Sequence, residues 1–200
     1  YYDFVAIVTS DSVFDLDRHT GKTRWHYTSR GAILNPTITI GGERLYFVES
    51  RNEATLDANL QGRVKLTMFF EKGSDLVALD RRTGKELWRS EADFSKIQHH
   101  LYLAYAQEKL VAVGTRNEKR EARNTLCYDL AAFDAKTGKL AWSVTQDQNR
   151  GVGGSHGEQD QHPAIVRDSI VQAPYVYDLN TVKRRADWRF GRGGHGCGAR

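Results

Sequence analysis

Cysteine is scarce in this chain: two in 200 residues, Cys127 and Cys197, far apart. Neither sits in a C-x-x-C or C-x-x-C-H pattern, which excludes a zinc knuckle, a dithiol redox centre and covalent haem attachment. Nothing in the spacing supports a disulfide between them, and the count does not fix the compartment. No apolar run approaches the roughly 20 residues that span a bilayer, so the segment is not membrane-embedded. The nucleophile elbow G-x-S-x-G, the zinc-protease H-E-x-x-H, the P-loop and the dinucleotide fingerprint are all missing. An excess of one charge is also lacking, the formal net charge being only +4. Basic residues gather late, at Lys183, Arg184, Arg185, Arg189, Arg192 and Arg200, but no nucleic-acid motif accompanies them. They read as a solvated strand edge protected by charge, and no nucleic-acid partner is expected. The first residue is Tyr1 rather than Met and the last lie in a glycine-rich stretch, so both ends look cut and a signal peptide is not observable.

What is present is an ordinary globular composition, 40% hydrophobic and 27% charged, with length enough for one sizeable core. It also contains a repeat. Residues 12–28 read SVFDLDRHTGKTRWHYT, residues 75–90 DLVALDRRTGKELWRS and residues 130–144 LAAFDAKTGKLAWSV. In each an apolar strand ends in Asp, a T-G-K turn follows, and Trp stands eight residues after the Asp. The sets are Asp17, Gly21, Trp25; Asp80, Gly84, Trp88; and Asp134, Gly138, Trp142. A fourth, degraded copy, YVYDLNTVKRRADWRF at 175–190, keeps Asp178 and Thr181, has Val182 at the glycine position, and carries Trp188 two places late. Each copy predicts a β-hairpin. The glycine supplies the positive φ that a short bulged hairpin needs. The Asp accepts hydrogen bonds from N–H groups inside the turn. The Trp is a large apolar plate with one donor, suited to covering a neighbouring sheet.

The pattern A-x-D-x-x-T-G-x-x-x-W, met in full from Ala78 to Trp88 and from Ala132 to Trp142 and with Asp15 replacing the alanine in the first copy, resembles the tryptophan-docking motif of the pyrroloquinoline-quinone-repeat propellers. The resemblance covers nearly the whole chain. It implies an all-β fold, a β-propeller of four-stranded antiparallel blades forming a partial ring of about four blades. It also implies that each Trp packs on the glycine of an adjacent blade. On that pattern strand A is innermost, D outermost, and the T-G-K hairpin joins C to D. The expected blades are 1–30 (partial, with FVAIVTS as strand B), 33–90, 97–145 and 161–190, with 191–200 starting another. ILNPTITI, LYLAYAQ and HPAIVRD are the expected A strands, and RLYFVES, KLVAVGTR and SIVQAP the B strands.

The Asp-to-Asp spacings, 63, 54 and 44 residues, exceed in the first two cases the roughly 40–45 that a blade requires. The excess lies between strands B and C. Residues 51–72 form one insertion, whose apolar end LTMFF either extends strand C or covers a neighbouring surface. Residues 116–126, RNEKREARNTL, are expected to be a solvated loop or short helix. With 145–161 and 191–197 as D-to-A loops, every elaborated segment emerges on one face of an up-and-down blade. The tight A-to-B and C-to-D turns hold the other. Binding residues concentrate on elaborated loops set on a rigid scaffold, so a protein or small-ligand partner is expected on the B–C/D–A face.

Two glycine- and histidine-containing segments on that face, 146–163 and 191–200, offer His156, His162, His195 and Cys197. Imidazole and thiolate ligate zinc and other transition metals, which makes these four candidate metal ligands. The same glycines can form an anion nest, or allow strands to approach closely at a crowded axis. His99 and His100 precede another inner strand, where only one of an adjacent pair can face the channel. Cys127 beside a C strand reads as a small buried hydrophobe. No catalytic residue can be named. The resemblance implies a bacterial periplasmic or otherwise extracytoplasmic protein. It fits either a non-catalytic binding scaffold, like the outer-membrane assembly lipoproteins that bear the repeats without cofactor, or part of a quinoprotein dehydrogenase for alcohols or sugars. The dehydrogenases of the family use a vicinal cysteine pair, a calcium set of Glu, Asn and Asp, and a catalytic Asp. None of these can be placed here, so no cofactor is expected on this segment. Pyrroloquinoline quinone with calcium would belong only to a longer parent chain.

Overall fold

A computed structural model of the chain describes residues 7–120, 123–151, 163–172 and 175–187. Thirteen strands carry most of it. They are β1 (Thr9–Leu16), β2 (Thr23–Leu34), β3 (Thr39–Gly41), β4 (Arg44–Ser50), β5 (Ser74–Asp80), β6 (Glu86–Ala92), β7 (Leu101–Ala106), β8 (Lys109–Arg120), β9 (Arg123–Asp134), β10 (Leu140–Gly151), β11 (Ala164–Val166), β12 (Ser169–Gln172) and β13 (Tyr175–Asp178). All pairings are antiparallel between chain neighbours, except that β2 also meets β4 at Ile33↔Glu49. The blades are β3–β6, β7–β10 and β11–β13, preceded by the β1–β2 hairpin; among the described residues they do not close into a ring.

Each Asp-Thr-Gly turn joins a C strand to a D strand, and its geometry repeats. The Asp80 carboxylate accepts from Arg82 N–H (2.9 Å) and from the N–H and hydroxyl of Thr83 (2.8 and 3.0 Å). Asp17, Asp134 and Asp178 do the same for their own turns. The glycine N–H donates back to the aspartate carbonyl, and φ is +70°, +69° and +72° at Gly21, Gly84 and Gly138. The degraded fourth copy makes the same turn, with Val182 forced to φ +55°. These donors favour the charged carboxylate. For Asp178 the Thr181 N–H and hydroxyl lower the pKa to about 2. Because the folded pKa is depressed, the turn's contribution is complete above the ordinary value of about 4 and is lost as pH falls through about 2. A carbon-13 titration of the Asp178 carboxyl should therefore show a midpoint near 2. A midpoint near 4 would mean the turn is not hydrogen-bonded this way in solution.

Alternation fills the space between blades. Along β4, Leu45 and Phe47 face the β1–β2 hairpin in one core with Val77 and Leu79, and Tyr46 and Val48 face the next blade in another with Leu76 and Ala78. Along β8, Leu110 and Ala112 join that second core, and Val111 and Val113 a third with Ile170 and Leu179 of the last blade. Both faces of each middle blade are thus buried, and strands such as LVAL and LVAV read as continuous apolar runs for that reason.

Four expectations change. FVAIVTS does not end in a separate strand B: Thr9 and Ser10 pair with Leu34 and Ile33 as the start of β1, because β2 runs on through TSRGAIL and offers them a partner. ILNPTITI is not one strand, since Asn35–Thr37, holding Pro36, forms a 3-10 turn between β2 and β3. Residues 116–120 and 123–126 are strand, not a loop or helix: β8 and β9 pair in continuous register from Lys109↔Asp134 to Arg120↔Arg123. The charges support this pairing, with Arg116 Nε 2.6 Å from Asp129 and Cys127 Sγ donating to Glu118 at 3.4 Å. Residues 145–151 likewise belong to β10, Gln146 opposite Tyr128 and Asp147 opposite Cys127. The three strands β8–β10 have 12 residues each where β4–β6 have seven, an extension of roughly 17 Å at ~3.4 Å per residue.

Within 51–72 lie two short helices, α1 (Ala54–Leu60) and α2 (Leu66–Phe70). Gly62, at φ +62°, follows the first. LTMFF takes the covering role: Leu66, Phe69 and Phe70 are buried on one side of α2. Phe70 lies 6.2 Å from Phe94, which lies 5.9 Å from Phe133.

Candidate functional site

Antiparallel blades send their connections alternately to two ends, and the two ends differ. At the hairpin end, polar groups are spent on the fold itself. Trp25 on β2, Trp88 on β6 and Trp142 on β10 donate through Nε1 to the carbonyls of Arg81 (2.9 Å), Ala135 (3.3 Å) and Leu179 (3.0 Å) of the following blade. Each of those residues directly follows a turn aspartate. Their own N–H groups donate to Glu43, Glu108 and Asp168 in the A-to-B turns, at 3.0, 2.9 and 2.8 Å. The Trp25 ring lies over Gly84 and the Trp88 ring over Gly138, so close that an added Cβ would stand 2.6 Å from ring carbon. Above Gly21 there is nothing within 4 Å. Opposite each Trp across its hairpin stands the motif's first residue, Asp15, Ala78 or Ala132.

The other end carries α1, α2, the 93–100 segment and the β8–β10 extension. Three of these line an open cleft of about 530 Å³. One wall is α2, where Thr67 and Glu71 stand one turn apart; Ser95, Lys96 and Gln98 form the second; Arg116 and Asn117 close the foot. Phe70 and Ile97 are its apolar members. The second wall is held by backbone: Gln98 and His99 N–H groups donate to Thr115 O, and the Gln98 amide oxygen accepts from Asn117 N–H at 2.9 Å. Asp93 caps the segment by accepting from Ser95 N–H and hydroxyl, and these donors, the hydroxyl first, lower its pKa. Arg116 is held by Asp129 and Glu118, and Glu71 accepts from Asn52. Lys96 makes no ion pair among the described residues and is exposed.

Of the candidate metal ligands, His156, His162, His195 and Cys197 all lie outside the described residues, as does Trp188. Among the described residues no group of three His, Cys, Asp or Glu is placed to hold a metal ion. His99 is buried, His100 is half-buried and stacks on Tyr102, and Cys127 is fully buried. No described helix is long and apolar enough to cross a membrane.

Sequence reasoning missed a partly buried ion cluster between the β1–β2 hairpin and the next blade. Glu49, Asp75 and Glu91 stand directly opposite one another across β4, β5 and β6. Arg89 bridges Glu49 and Asp75 at 3.0 Å each and reaches Glu86 and the Tyr27 hydroxyl, while Arg51 bridges Asp75 and Glu91. Tyr27 donates to Glu49 at 2.8 Å, and burial together with that carboxylate pushes the phenol well above its ordinary range. The visible signal is an acidic residue inside an otherwise apolar strand, Glu49 in RLYFVES, which demands a counter-ion once buried.

The sequence matches the family described as Outer membrane protein assembly factor BamB over residues 72–196. Among solved structures, BamB from Moraxella catarrhalis is similar at 15% identity, over 90% of this chain and 62% of that one, with a TM-score of 0.36. The chain therefore spans less than two thirds of that protein's length. A comparison with curated proteins gave no match. Since the matched residues are more than half of the chain and contain two complete copies of its repeat, the chain belongs to the BamB family of quinone-type repeat proteins.

Proposed function

We propose that this chain is a non-catalytic binding module of the outer-membrane assembly type, placed in the periplasm, which takes a protein partner on the face bearing α1, α2, the 93–100 segment and the β8–β10 extension. The observation that carries this reading is the difference between the two ends. The hairpin end is taken up by tight turns and the tryptophan contacts between blades, whereas α2, the 93–98 segment and the foot of β8 line the cleft, with Thr67, Lys96 and Gln98 exposed. A scaffold elaborated at one end is the usual arrangement for recognition. Thr67→Arg and Gln98→Arg block the cleft from either wall, and Lys22→Glu and Lys139→Glu alter the hairpin end. Binding of the purified periplasmic components of the assembly machinery, read by surface plasmon resonance, should weaken about tenfold or more for the cleft variants. It should stay within about twofold for the hairpin pair. The opposite pattern would overturn the placement.

The competing dehydrogenase reading has its own test. Calorimetric titration of the purified chain with pyrroloquinoline quinone and calcium is expected to show no binding, because no calcium set or vicinal cysteine pair can be assigned in the sequence. Binding in the micromolar range would put the dehydrogenase reading ahead.

A further inference from the structure

We draw no further inference here: the strongest candidate, the cleft between α2, the 93–98 segment and the foot of the β8–β10 extension, belongs to the site already described, and with Arg116 already held by Asp129 and Glu118, nothing in the structure shows what covers it.

Discussion

Replacing Arg89 by alanine should destabilise the fold by about 3–5 kcal/mol, the usual consequence of removing one partner from a buried ion pair. The Arg89 side chain is 14% exposed, and it serves Glu49 at 0% and Asp75 at 8%. Burial opposes its charge, but Glu86, Glu49 and Asp75 outweigh that and hold its pKa above the ordinary arginine value. Without the guanidinium, two carboxylates that face each other across β4 and β5 lose the charge between them. Arg51 still reaches Asp75, so the Glu49 side is left worst off. Arg89→Lys should recover only part of the loss. An ammonium on a flexible stem cannot present the planar fork that meets Glu49, Asp75, Glu86 and Tyr27 together.

A second readout separates lost charge from lost packing. If the penalty is orphaned negative charge, Arg89→Met, which keeps most of the side-chain volume, should cost about as much as Arg89→Ala. A clear recovery of stability in Arg89→Met would assign the penalty to the missing side-chain volume. Chemical denaturation of the two variants decides between these outcomes.

The cluster also shows where sequence reading stops. Asp80, Thr83 and Gly84 lie within five residues, and their hydrogen bonds are local, so the hairpins were legible from residue types alone. Arg89 and Glu49 are 40 positions apart and meet only because β5 lies between β4 and β6. The same limit hid the extension of the third blade. RNEKREARNTL lacks apolar alternation and reads as a loop, yet residues 116–120 pair with 123–127, and Arg116 and Glu118 find Asp129 and Cys127 across the strands. In LTMFF, a short apolar run does not distinguish helix from strand; the contact of Phe70 with Phe94 settles it. The preference for one face came from counting residues beyond a minimal blade, and the cleft lies on that face. Its walls, however, come from 67–71, 95–98 and 116–117, three segments that no local pattern links. The candidate ligands themselves, His156, His162, His195 and Cys197, fall outside the described residues.

Trp88→Ala should cost about 3–5 kcal/mol, as deletion of a large packed aromatic does. Its ring packs with Tyr46 at 6.0 Å between centroids and covers Gly138, and its N–H is the only donor it carries. The three motif glycines show how much of that loss belongs to the contact with the neighbouring turn. All three have φ near +70°, so alanine at any of them should cost about 1–2 kcal/mol for the left-handed backbone alone. At Gly21 nothing stands within 4 Å, and that should be the whole effect. At Gly138 the new methyl would lie 2.6 Å from both the Trp88 ring and the Ser90 Cβ, and overpacking adds about 1–3 kcal/mol. Gly138→Ala should therefore be clearly worse than Gly21→Ala, and Gly84→Ala, under Trp25, should match it. In the Trp88→Ala background the excess at Gly138 should shrink by the ring's share but not vanish, because the Ser90 Cβ still stands 2.6 Å from the new methyl. Urea midpoints for the two single variants and the double variant give the coupling directly. Additive losses would mean that the tryptophan and the glycine act independently, leaving the blades held by their apolar cores and the Ala135 hydrogen bond.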